Sequence, residues 1–141
     1  MRQFCRLILR SSCVLTLFVS AGPTISNTRA ADWPQFLGPD RTGISQETGL
    51  IDQWPEGGPS ERWRVDGGVG MSGIVISDGT ACTLIQTSGK QQVLALNAET
   101  GAVQWSTPIA SEYRNGQGDG PRGTPAIVDG SVIAFTGDGR P

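Results

Sequence analysis

The sequence predicts an all-β fold made of four-stranded antiparallel blades of a β-propeller, with about one and a half blades present. The first observation is a repeat: residues 72–79 read SGIVISDG and residues 123–130 read GTPAIVDG, an offset of 51 residues (79 to 130). The second is the presence of 20 glycines, which suits many tight turns between short strands. Repeated units of this kind cannot bury their apolar faces alone, so successive units are expected to stack.

Turn-forming residues divide the first copy into four predicted strands, at residues 74–77, 81–86, 93–97 and 102–106. The turns fall at Asp78-Gly79, at Ser88-Gly89 and at residues 99–101, a spacing of 10 and 12 residues (79 to 89 to 101). This spacing indicates a meander of neighbouring antiparallel strands. The second copy is predicted to begin with strands at residues 126–128 and 131–136.

The third predicted strand contains Val-Leu-Ala-Leu at residues 93–96, which is apolar without alternation. A strand buried on both faces has this pattern, so we expect a covering blade on each side of the sheet. With the second blade incomplete, the chain alone is not expected to be a stable, closed monomer.

Residues 31–66 are predicted to form an extended lead-in segment that ends in a short strand at residues 61–65. Prolines and glycines are too frequent before residue 60 for a helix or a central strand. In residues 61–65 apolar and charged side chains alternate, which indicates a strand with one wet face. The segment is expected to be held against a larger body by its large apolar side chains, Trp33, Phe36, Leu37, Leu50 and Trp54.

Residues 1–30 have the pattern of a secretory signal peptide. Arginines precede an apolar run at residues 13–21, no acidic residue occurs before Asp32, and small side chains near Ala30 indicate cleavage after that residue. A retained anchor is the alternative. The chain is therefore expected to be exported to the periplasm or cell envelope, with no membrane span after cleavage.

The charge and composition of the remainder exclude several classes of function. Removing residues 1–30 takes away four arginines, so 7 basic and 13 acidic side chains remain, a net charge of −6. This balance argues against nucleic acid and against an anionic membrane surface. The chain has no histidine, which excludes histidine-dependent catalysis. Cys82 is the single cysteine left, and its position in an apolar strand indicates a buried, inert thiol, with a reactive thiol as the alternative.

A polar, glycine-rich segment at residues 111–122 separates the two copies and is the candidate binding loop. Its candidate binding residues are Tyr113, Arg114, Asn115, Asp119 and Arg122. Residues 118–123 match a dinucleotide-binding pattern but precede a strand instead of a helix. Residues 115–120 resemble the start of a Ca²⁺ loop, although Ala126 stands where a glutamate ligand is required. We therefore predict no metal here.

The segment LNAETGAVQW at residues 96–105 resembles the pyrroloquinoline-quinone-type (PQQ-like) propeller repeat, and the lead-in segment WPQFLGPDRTG at residues 33–43 is similar to the amino-terminal part of exported bacterial propellers of the outer-membrane-assembly-lipoprotein type. By this resemblance the chain is an amino-terminal fragment of such a protein. It implies a first blade at residues 67–110, an inter-blade loop at 111–122 and the start of a truncated second blade at 123–141. The residues that carry the repeat motif are Asp78, Gly79, Asn97, Thr100, Gly101, Trp105, Asp129 and Gly130.

Three functions are compatible with the resemblance. The first is a non-enzymatic module that binds or scaffolds an envelope protein or extended ligand. The alternative is the amino-terminal part of a quinone-dependent dehydrogenase whose site lies in further blades, and PQQ is a possible cofactor by resemblance only. In such dehydrogenases a vicinal cysteine pair holds the quinone, and Cys82 has no neighbouring cysteine. A truncated product without independent function is the third.

Overall fold

A computed structural model describes residues 30–141. The signal peptide predicted for residues 1–30 lies outside this range, apart from Ala30. The described chain is all-β, without a helix. Its strands are β1 (Val75–Ser77), β2 (Thr80–Thr87), β3 (Lys90–Asn97), β4 (Val103–Ser111), β5 (Ala126–Val128) and β6 (Ser131–Ile133). The first four form one antiparallel sheet in the order β1-β2-β3-β4, and β5 pairs with β6 in a second sheet. Between residues 30 and 141, no helix is long and apolar enough to span a membrane.

The tight turns of both sheets share one backbone conformation. Both central residues have a positive φ in each turn: Asp78 (47°) and Gly79 (73°), Ser88 (50°) and Gly89 (71°), Asp129 (48°) and Gly130 (73°). This is the type I′ turn, whose twist matches that of the flanking strands. The prediction of turns at these residue pairs is therefore confirmed.

Strand β3 is buried on both faces, as its composition predicts. On one face Ala95 packs with Val75 and Cys82, and Ile127 and Val132 of the second sheet pack against this cluster. The free thiol of Cys82 is fully buried here, and that burial raises its pKa. This face of the four-stranded sheet is therefore covered by apolar side chains of β5 and β6.

The other face of β3 is covered differently from the prediction. Leu94 and Leu96 pack with Ala81, and the partly buried Trp63 and Val65 cover them. The lead-in segment thus covers this face. The sequence had predicted that a neighbouring blade would cover it. The lead-in segment leaves an apolar cavity of about 200 Å³ between Trp63 and the sheet.

The lead-in segment departs from prediction in two further respects. Residues 61–65 form no strand, although Trp63 and Val65 do point inward and Arg62 and Arg64 are exposed. They have no ladder partner. The residue of this part of the chain that does pair with the sheet is Val69, which exchanges two backbone hydrogen bonds with Gln86 on the edge of β2 beyond the short β1. The apolar side chains expected to hold the segment are mostly exposed: Phe36 (68%), Leu37 (42%), Leu50 (66%) and Trp54 (63%).

Trp33 is the lead-in residue that connects both sheets. It exchanges backbone hydrogen bonds with Ile76 on the free edge of β1, at 2.8 and 3.0 Å. The next residue, Pro34, accepts a hydrogen bond from the Ile127 N–H of β5 at 2.8 Å. The side chain of Trp33 packs so closely on Gly38 that a Cβ there would lie 2.8 Å from the indole ring. One short segment therefore joins β1 to β5.

Strands β4 and β6 end several residues away from their predicted ends. Strand β4 continues to Ser111, five residues beyond the predicted end at 106, and so includes the first residue of the predicted inter-blade loop. Strand β6 ends at Ile133 instead of 136. There Thr136 turns the chain, because its N–H and hydroxyl group both donate to the Arg140 carbonyl oxygen. A hydroxyl bonded to the backbone in this way favours a turn over a strand.

Candidate binding loop and repeat turn

The candidate binding loop leaves the sheet at the end of β4 and is anchored by Tyr113. The Tyr113 N–H donates to the side-chain oxygen of Gln86 at 2.6 Å, and its carbonyl accepts from the Gly120 N–H at 2.9 Å. The aromatic ring lies against Gly137, where a Cβ would approach Tyr113 Cδ1 to 2.6 Å. The ring therefore sits between the loop and the second copy of the repeat.

Asn115 and Asp119 close the tip of the loop. Asp119 Oδ1 accepts the backbone N–H of Asn115 at 3.0 Å. The Asn115 side chain donates from Nδ2 to the Tyr113 hydroxyl at 3.0 Å and accepts the Gln117 N–H on Oδ1 at 2.9 Å. Three of the five predicted binding residues are thus hydrogen-bonded to one another.

The two arginines of the loop differ in their surroundings. Arg122 donates from Nη2 to the Gly118 carbonyl at 2.6 Å, and its guanidinium carbon lies 5.4 Å from the centre of the Tyr113 ring, within the range of a cation–π interaction. Its Nε is buried with no hydrogen-bond partner among residues 30–141. Arg114 is exposed and pairs with Glu112 at 3.2 Å. This hydrogen bond, and then the charge of Glu112, raises the pKa of Arg114.

Two buried glutamines hold the base of the loop, and neither is among the binding residues predicted from the sequence. Gln91 is 1% exposed; it donates from Nε2 to the Ser111 carbonyl at 2.9 Å and accepts the Gly137 N–H on Oε1 at 2.5 Å. Gln86, 8% exposed, accepts the Tyr113 N–H. The signal that could have found them is a pair of amide side chains on either side of a predicted hairpin turn.

The repeat turn, residues 97–102 connecting β3 to β4, lies at the opposite end of the sheet from the loop. Lys90 pairs with Ser111 at the loop end of β3, whereas Leu96 pairs with Val103 near the repeat turn. Asn97 Oδ1 accepts from the Glu99 N–H (3.0 Å), the Thr100 N–H (2.9 Å) and the Thr100 hydroxyl (3.0 Å). The motif residues at this end therefore organise a turn and contribute nothing to the loop.

The Trp63 ring packs directly on Gly101 of the repeat turn. A Cβ at Gly101 would lie 2.7 Å from Trp63 Cδ2, and the residue has a φ of 71°. The Trp63 indole N–H donates to the Ala98 carbonyl at 3.1 Å. The glycine thus provides both the positive φ that the turn requires and the space that the lead-in tryptophan occupies.

Three further motif residues, Asp78, Trp105 and Gly130, line a gap between the two sheets. Trp105 is 40% exposed and borders a cavity of about 280 Å³ together with Asp78, Gly130, Ile127 and Val132. Its indole therefore faces the second copy. This placement suits a side chain that packs between neighbouring repeat units.

Comparison of the chain with protein-family models, with curated proteins and with solved structures found no match. Within residues 30–141, no group of three or more His, Cys, Asp or Glu side chains is placed to hold a metal ion. The functional assignment consequently depends on the geometry of the loop and of the repeat.

Proposed function

We propose that the chain is an exported repeat module of the cell envelope, built from PQQ-like β-propeller blades, that binds a protein or an extended ligand without catalysing a reaction. One observation carries the proposal: residues related by the repeat offset lie next to each other. The Ser72 hydroxyl donates to the Gly123 carbonyl, 51 residues away, at 2.8 Å. A Cβ at Gly73 would lie 2.7 Å from the hydroxyl of Thr124, its repeat equivalent.

Contacts between equivalent residues are what tandem repeats make when each unit packs on its neighbour. Strand β1 and its repeat equivalent β5 are also in contact. In a radial array the first strands of successive blades lie side by side, so this neighbourhood supports the propeller assignment.

The binding role is supported by the combination of rigidity and exposure in residues 112–122. Hydrogen bonds of Tyr113, Asn115 and Arg122 fix the loop backbone, while Glu112, Arg114 and Asn115 remain exposed and Asp119 is half-buried. A loop that is ordered before a ligand arrives loses little conformational entropy on binding. The mixed charges of the exposed side chains suit a polar segment of a protein.

The non-enzymatic role of this chain is tested by quinone binding. We expect the purified chain to show no saturable binding of pyrroloquinoline quinone in the presence of Ca²⁺ by equilibrium dialysis, and no dye-linked alcohol oxidation. Saturable binding at micromolar quinone would contradict the non-enzymatic assignment.

Export is tested separately, by amino-terminal sequencing of the protein recovered from the cell-envelope fraction. We expect the chain to begin at Ala31 or within a few residues of it, because small side chains surround Ala30 after the apolar run. Recovery of the chain with Met1 retained would contradict signal cleavage.

A further inference from the structure

Asn115 and Gly116 form the first half of a tight turn at the tip of the candidate binding loop. The Gly118 N–H donates to the Asn115 carbonyl at 2.9 Å, which closes the turn. The Asn115 side-chain oxygen accepts the Gln117 N–H at 2.9 Å. This second bond is an Asx turn, which folds the side-chain amide back over the backbone that follows it.

The backbone nitrogen of Gly116 directly follows Asn115 in the chain. The residue is exposed, and its N–H has no hydrogen-bond acceptor among the described residues. No heavy atom lies within 4 Å of the position that a Cβ would occupy, and its φ is not in the left-handed region. The Gly116 N–H is therefore accessible to solvent base, and no neighbouring atom crowds the residue.

We propose that Asn115 is a modification site that deamidates spontaneously in the folded protein. The Gly116 nitrogen loses its proton to solvent base and attacks Cγ of Asn115, and the bond from Cγ to Nδ2 breaks. The departing nitrogen takes a proton from solvent and leaves as ammonia. Water then hydrolyses the cyclic imide to aspartate or isoaspartate, so the net reaction consumes one water, releases one ammonia and changes no oxidation state.

The contacts of Asn115 favour this step. Negative charge develops on Oδ1 during the attack, and the Gln117 N–H already donates to that atom at 2.9 Å. A preorganised donor at an oxygen that gains charge lowers the barrier to reaction. The Tyr113 hydroxyl holds Nδ2 on the other side, at 3.0 Å. The amide is thus held in one orientation, with its oxygen toward the donor.

Deamidation would change the loop that the proposed function uses, although the reaction itself does not depend on that function. The new carboxylate would lie beside Asp119, which binds the Asn115 backbone N–H at 3.0 Å. Two close carboxylates repel each other, and the donor to the Tyr113 hydroxyl is lost with the ammonia. The modified loop is therefore less tightly closed than the original one.

The experiment is a time course of the purified chain at mildly alkaline pH and physiological temperature, read by peptide mass spectrometry and by an isoaspartate assay. Asn97 serves as the internal reference: its side-chain oxygen also accepts backbone N–H groups, but Ala98 follows it, and the Ala98 N–H is bound to the Gly79 carbonyl at 2.9 Å. We expect Asn115 to deamidate at least about tenfold faster than Asn97. Equal rates at the two residues, or an intact Asn115 in the native chain when the urea-unfolded chain reacts, would overturn the proposal.

The variant Gly116→Ala tests the nucleophile. Alanine fits at this position without strain or contact, so the variant should keep the parent's thermal transition, and its methyl group should slow the reaction at Asn115 at least about tenfold. The matched control is Gly57→Ala, which also has open space and an ordinary φ and should leave the rate unchanged. A folded Gly116→Ala variant that reacts as fast as the parent would refute attack by the Gly116 nitrogen.

Discussion

Replacing Gly101 by alanine is expected to lower the free energy of unfolding by about 3 kcal/mol. The residue has a φ of 71°, and a side chain in this left-handed region costs roughly 1–2 kcal/mol. The new Cβ would also lie 2.7 Å from the Trp63 ring, and such overpacking costs about 1–3 kcal/mol more. Urea unfolding followed by tryptophan fluorescence gives the value.

The control for this variant is Gly89→Ala. Gly89 has the same φ of 71° and no heavy atom within 4 Å of its Cβ position, so it reports the backbone strain without the clash. We expect it to cost only about 1–2 kcal/mol. If both variants lose the same stability, Trp63 does not occupy the space above Gly101, and the cover of that face by the lead-in segment would be wrong.

Replacing Gln91 by leucine is expected to cost about 2 kcal/mol although the two side chains have similar volumes. The substitution removes the acceptor of the Gly137 N–H and the donor to the Ser111 carbonyl. Because Gln91 is 1% exposed, water cannot reach the Gly137 N–H and the Ser111 carbonyl to replace the lost bonds unless the structure opens. Each buried group left without a partner costs about 1–3 kcal/mol, and new apolar burial offsets part of this loss.

The neighbouring Gln92 offers the matched control for Gln91→Leu. Its side chain is partly exposed and bonds to Thr87 and Ser106, so water can replace those bonds in Gln92→Leu. We expect that variant to change the free energy of unfolding by less than about 0.5 kcal/mol. Equal losses for the two glutamines would mean that Gln91 does not hold the loop and the second copy.

The sheet could be predicted from the sequence because its signals are local. An unbroken apolar run predicts burial of β3 on both faces, and Asp78-Gly79 and Asp129-Gly130 specify type I′ turns through residues that tolerate a positive φ. The all-β class and the four-stranded antiparallel sheet follow from these patterns.

The lead-in segment could not be predicted because its contacts are not local. Trp63 packs on Gly101 and donates to Ala98, 35 residues away, and no periodic pattern specifies such a pairing. Phe36 and Leu37 were expected to be buried because they are apolar, yet their turn is closed by its own hydrogen bonds, such as that from the Gly43 N–H to the Leu37 carbonyl. Satisfied backbone groups let such a turn stay at the surface without a core beneath it.

Composition identifies the candidate loop residues, but it does not predict which contacts they make. A polar, glycine-rich segment between two strand patterns indicates an exposed loop, and this is how Tyr113 and Asn115 were selected. The hydrogen bond from the Tyr113 N–H to Gln86 could not be predicted in this way. The two residues are 27 positions apart, and they meet only because the fold places β2 next to the loop.

The central claim is that the lead-in segment and both copies of the repeat form one folded unit, and amide hydrogen exchange tests it most directly. The Trp33 N–H donates to Ile76 on β1, and the Ile127 N–H donates to Pro34, at 2.8 Å in both cases. We predict that these two amides exchange as slowly as those in the middle of β2 and β3, because all of them open together in global unfolding. Exchange of Trp33 and Ile127 at the rate of an unfolded chain, with β2 and β3 still protected, would contradict the claim.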